Sequence, residues 1–87
     1  MADNTKTVSV GTSATEIVSL VPKRRLVLLH NNGSNTVYLG FDATDCTVGS
    51  SMPLLVDTYI KFKDWGNPIY GIVASGTEDV RVWEDTA

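Results

Sequence analysis

Hydrophobic and polar residues alternate in twos along most of this chain, and the alternating runs are short. Val8 and Val10 are interleaved with Thr7 and Ser9, and near the end Val80 and Val82 alternate with Arg81 and Trp83. Successive side chains of a strand point to opposite faces, so each run predicts a strand with one face in a core. The same pattern predicts strands over residues 15–21, 25–30, 37–41, 58–63 and 69–74. In residues 58–63, Ile60 and Phe62 face one way while Tyr59, Lys61 and Lys63 face the other. Leu54-Leu55-Val56 is a further candidate, and residues 42–53, rich in Asp, Thr, Ser and Gly, read as a long loop with room for a short edge strand. Leu26, Val27, Leu28 and Leu29 are apolar without a break. That fits a strand buried on both faces, or one whose outer side meets a second surface.

Turn formers separate these runs: Gly11-Thr12-Ser13, Pro22, Asp64-Trp65-Gly66-Asn67-Pro68 and Ser75-Gly76-Thr77. Asn31-Asn32-Gly33-Ser34-Asn35, set between two apolar runs, predicts a hairpin joining residues 25–30 to residues 37–41. No segment carries a helical stripe. The expected fold class is therefore all-β, a single small antiparallel β-sandwich or barrel of about seven to eight short strands. Residues 1–6 are expected to form a flexible N-terminal arm, residues 7–84 the sandwich and residues 85–87 a C-terminal tail.

Composition narrows the function classes. Eighty-seven residues suffice for one domain with a thin core. A formal charge of −3 argues against a general nucleic-acid binder, which needs a concentrated positive surface. No apolar run approaches the ~20 residues that span a bilayer, and the polar first six residues lack the apolar stretch of an export signal. Neither nucleic acid nor membrane is expected as a partner, and the chain is expected to stay in the cytoplasm or assemble there. Cys46 is the single cysteine, so stability must come from packing or oligomerisation.

Reactive groups are sparse. His30 is the single histidine and leads into the Asn turn, where turn groups can satisfy its ring. Cys46 reads as a small buried hydrophobe, and Asp42 and Asp45 as solvated loop carboxylates without the spacing of a calcium loop. Glu78 and Asp79 are neighbours on one strand and face opposite sides, which does not suit paired acid–base chemistry. No catalytic residue, metal or cofactor is expected. Lys23-Arg24-Arg25 follows Pro22 and reads as a solvated turn, or as a patch toward an acidic partner. Tyr59, Trp65 and Trp83 are the residue types that concentrate binding energy, and an outer-face cluster of the three would make a subunit contact. Leu26 and Leu28 would belong to the same contact. A carbohydrate platform, built from Trp65 and Tyr59, would use the same aromatics.

The order of these signatures resembles small β-sandwich virion proteins of tailed bacteriophages. The likeness runs through Ala14-Thr15-Glu16-Ile17-Val18, Pro22-Lys23-Arg24-Arg25, Asn31-Asn32-Gly33-Ser34-Asn35-Thr36-Val37-Tyr38-Leu39-Gly40-Phe41 and Pro68-Ile69-Tyr70-Gly71-Ile72-Val73-Ala74 to Val80-Arg81-Val82-Trp83-Glu84. The resemblance implies a structural component of the virion, assembled in the host cytoplasm. It implies a capsid decoration or cement protein, with a head-fibre or tail accessory subunit as the alternative. The implied partners are the major capsid protein or other virion subunits, and further copies of the chain as a dimer or trimer.

Overall fold

The computed structural model describes residues 3–86. They form eight strands: β1 (Asp3–Val10), β2 (Thr15–Val18), β3 (Leu26–Asn31), β4 (Val37–Gly40), β5 (Met52–Leu54), β6 (Tyr59–Lys63), β7 (Ile69–Ile72) and β8 (Glu78–Asp85). The strands make two antiparallel sheets of four, ordered β1-β8-β3-β6 and β2-β7-β4-β5. The expected all-β sandwich is what the chain forms. Every connection crosses from one sheet to the other except that between β4 and β5, which pair directly. This strand order is that of an eight-stranded jelly roll.

The alternation seen in the sequence sets which side chains meet between the sheets. Val27 and Leu29 of β3, Val37 and Leu39 of β4, and Val80 and Val82 of β8 are all fully or almost fully buried there. Val10, Ile17, Val18, Leu54, Ile69 and Val73 complete the core, each stabilising by about 1.5–3 kcal/mol once removed from water. Gly71 faces the same space, and a Cβ on it would stand 2.7 Å from the Ile17 Cδ1.

Three expectations fail, each where pairing depends on distant residues. The Asn turn does not make a hairpin: β3 pairs with β6 and β8, while β4 pairs with β5 and β7. Residues 32–36 instead carry the chain across the open end of the sandwich. Asn31 is the pivot, fully buried on the inward side of β3. Its amide donates to the carbonyls of Asn35 and Leu54, both at 2.9 Å, and its Oδ1 accepts the Gly33 N–H at 3.0 Å. Glu78 at the start of β8 accepts the Ser34 N–H at 2.8 Å and the Asn35 amide at 2.6 Å. A Cβ on Gly33 would overlap that carboxylate, so the bridge requires glycine there.

The expected N-terminal arm is also part of the sheet. β1 pairs residue for residue with β8, from Asp3 opposite Asp85 to Val10 opposite Glu78, so residues 3–6 and Asp85 are strand. Met1, Ala2 and Ala87, the remainder of the expected arm and tail, lie outside the described residues together with whatever they do. Finally, β5 ends at Leu54, and Leu55 and Val56 stand exposed on the turn into β6.

Candidate interaction face

The outward side of the sheet β1-β8-β3-β6 collects the residues that are hardest to explain as solvent-facing. Strand register places them in rows. Thr5, Trp83, Leu28 and Lys61 stand side by side across the four strands, and the next row is Thr7, Arg81, His30 and Tyr59. Asp85, Leu26 and Lys63 form a third row. Tyr59 is 65% exposed and Trp83 38%; Leu28 is half-buried beside Trp83, and Leu26 is half-buried one row further along. Thr5, Thr7, Leu28, His30, Arg81 and Trp83 line a shallow depression of about 440 Å³ on this face. At the His30 end the turn into β6 lies close by, with the Asp57 N–H donating to the Asn31 carbonyl at 2.9 Å.

The charges on this face are mixed, with cations at its margins. Lys61 and Lys63 are exposed on β6, the outer strand of the sheet. Arg81 donates through Nε to the Asp79 carboxylate at 3.0 Å, and His30 Nε2 lies 3.3 Å from Asp57 Oδ1. The Asn32 amide, joined by Arg81, holds the Asp79 carboxyl below the usual carboxylate range, although its partial burial works the other way. An apolar centre with polar and basic margins has the anatomy of a protein-binding patch.

The structure thus brings Leu26, Leu28, Tyr59 and Trp83 onto one surface, and it removes the other predicted residues from it. Trp65 packs against the core from the inner side, its ring 5.3 Å from Phe62 and 5.1 Å from Phe41. A joint platform of Trp65 and Tyr59 is therefore excluded. The basic run is split: Lys23 and Arg25 stay exposed, and Arg24 is withdrawn into the protein. Lys23 turns the chain in the left-handed conformation (φ 66°), and exposed Arg25 lies 3.4 Å from Asp85. Arg24 is 1% exposed. Its guanidinium donates to the carbonyls of Ser19, Trp65 and Asn67 at 2.8–2.9 Å and to Glu84 at 3.1 Å. A solvated turn or a patch toward an acidic partner was expected, both with Arg24 in solvent; five donors meeting four acceptors from separate loops and β8 keep this cation inside instead.

Sequence reading missed the contribution of His30 and Arg81 to the face. The outward register of Arg81 was visible in the alternation with Val80 and Val82. Its position beside His30 was not, because β3 and β8 are neighbours in space alone.

Elsewhere the reactive groups serve the fold. Cys46 is buried beneath the loop after β4, with Sγ 3.8 Å from the Tyr38 carbonyl, and burial pushes its thiol pKa up. Asp42 accepts the Asp45 N–H at 2.8 Å, forming a local turn. Among the described residues, no three or more His, Cys, Asp or Glu side chains gather as a metal ion would require. Comparisons with protein-family models, with curated proteins and with solved structures found no match.

Proposed function

We propose that this chain is a non-enzymatic structural protein of a tailed-phage virion, most simply a decoration protein that cements the outer surface of the head. The observation that carries the proposal is the row of Trp83 and Leu28, flanked by Leu26 and Tyr59, on the outward side of one sheet. Apolar and aromatic side chains at such a surface concentrate binding energy when a partner covers them. Lys61 and Lys63 on the outer strand favour a partner surface with carboxylates around an apolar centre. The sequence resemblance supplies the virion context, and the jelly roll adds an analogy of fold, since capsid and lectin domains both use it. A small rigid module suits a lattice that repeats one shallow site many times.

The test is occupancy on the parent particle. Particles are stripped of the protein and rebound with the wild-type chain or with the double variant Tyr59→Ala, Trp83→Ala. Loss of both anchors is expected to weaken rebinding by at least about 100-fold, two anchors at about 1.5 kcal/mol or more each. Unchanged rebinding refutes the face, and its absence from the head refutes the decoration role. Recovery of the protein on tails or fibres would favour the adaptor alternative.

A second reading rests on the depression between Trp83, Arg81 and His30. Aromatic faces with nearby polar groups also suit sugars, so the chain could act as a carbohydrate-binding module. Titration of a broad glycan panel against tryptophan fluorescence separates the two, since sugar binding at Trp83 would shift the emission and protein docking requires no sugar.

A further inference from the structure

The four sheet edges are not alike. A strand edge offers unpaired N–H and C=O groups to any passing strand, and proteins blunt such edges with brevity, proline, bulges or lysines. β5 is three residues long and contains Pro53. β2 has four residues and a register shift between Glu16 and Val18. β6 has five residues and carries outward-facing Lys61 and Lys63. β1, at the remaining edge, has eight residues, no proline and an unbroken register against β8. No strand among the described residues pairs with its free side. Its residues 3–7 are exposed on both faces, so nothing from the second sheet stands over them.

We infer that β1 is a self-pairing edge, joining two copies of this chain antiparallel about a two-fold axis at Thr5. The side-chain pattern suits that register, and the stretch exposed on both faces, residues 3–7, is centred on Thr5. An axis perpendicular to the sheet keeps each face continuous, so even-numbered residues oppose even-numbered ones and odd oppose odd. Centring on Lys6 would set two ammonium groups face to face and is disfavoured. Centring on Thr5 opposes Thr5 with Thr5, Asn4 with Lys6 and Asp3 with Thr7, with no like charges facing. Lys6 is already drawn toward Glu84 (3.8 Å), which lowers its value as an edge guard. The pairing uses the part of β1 that is exposed on both faces. It also fuses the outward faces of both copies into one eight-stranded surface, with Trp83 of each one strand away from the junction. The inference stands independently of what that face binds.

Solution mass of the full chain, by light scattering or sedimentation equilibrium, is the first test, with a dimer expected. Two proline variants then locate the contact. Backbone N–H groups of a strand alternate in direction, so of Thr5→Pro and Lys6→Pro one removes a bond to β8 and the other a bond to the partner. The second kind is expected to keep the melting temperature that the wild type shows when diluted to monomer, and to weaken dimerisation by about 30-fold or more, two hydrogen bonds being lost per dimer. In a Cys46→Ser background, Thr5→Cys should form a disulfide dimer on oxidation. Thr7→Cys should not, since its counterpart lies ~13 Å away at ~3.3 Å per residue. A monomer up to about 1 mM, a dimer that survives both prolines, or cross-linking through Thr7→Cys alone overturns the inference.

Discussion

At one end of β8, Glu84 meets a guanidinium; at the other, Glu78 meets only amide N–H groups. Both carboxylates sit on the inward side of the strand, just beyond the apolar centre held by Val80 and Val82, and both are 6% exposed. Each closes an open end of the sandwich where the strands stop but loop carbonyls and N–H groups remain to be satisfied. At the Glu84 end one long cation gathers carbonyls from residues 19, 65 and 67 and ties them to β8. At the Glu78 end the work is divided between a short amide, Asn31, and the carboxylate, and the bridging loop must carry glycine to approach it. The comparison teaches that a thin β core can be sealed at its ends by polar groups, provided that each finds its partners.

The charged end should be the more fragile to truncation. Arg24→Met leaves Glu84 buried beside stranded carbonyls and is expected to cost about 3–5 kcal/mol, measured by urea denaturation. Adding Glu84→Leu should restore much of that loss, because the penalty lies more in a buried carboxylate left with only the half-exposed Lys6, 3.8 Å away, than in the missing attraction. A single-variant loss below about 1 kcal/mol would show that the charged end is not the more fragile one and break the comparison. Gly33→Ala tests the other end. Its Cβ must displace the Glu78 carboxylate from Ser34 and Asn35, with an expected cost of about 1–3 kcal/mol. Combining it with Glu78→Gln should give less than the sum of the two losses, since both act on one set of bonds.

The smallest effect concerns Asp79, one residue along from Glu78 and on the opposite face. Its carboxyl is held below the ordinary range, chiefly by the Asn32 amide. As pH falls, the unfolded chain therefore takes up this proton before the folded one does. The contribution of Asp79 is complete above the unfolded value and is lost as pH drops through the folded one. Asp79→Asn should flatten the decline of stability below about pH 4 and leave the slope near neutrality unchanged. Denaturant titrations of both proteins across the acid range would reveal the difference.

Much of the strand pattern was legible because it is local. Ile60 and Phe62 face in while Tyr59, Lys61 and Lys63 face out, as their alternation requires, and Val80 and Val82 of β8 obey the same rule. The outward set of Leu26, Leu28, Tyr59 and Trp83 could be named as a candidate contact for the same reason. Arg24 was misread because a charge next to Lys23 and Arg25 looks solvated until four acceptors from elsewhere in the chain surround it. Trp65 could be read as core or as contact, because an aromatic in a Gly-Asn-Pro turn carries no periodicity to say which way it points; it packs against the core.

The amino-acid order by itself determined that strands would form, roughly where, and which side chains of each would share a face. A strand's alternation is set by its own backbone and needs no partner to be read. Which strand lies beside which, and hence that Asn31 would begin a crossing rather than a hairpin, was decided only in three dimensions. Ladder hydrogen bonds are made by backbone groups that every residue carries, so they leave no mark in the sequence. The choice among partners falls to buried groups such as Asn31, Glu78, Arg24 and Glu84, whose contacts exist only after the sheets have met.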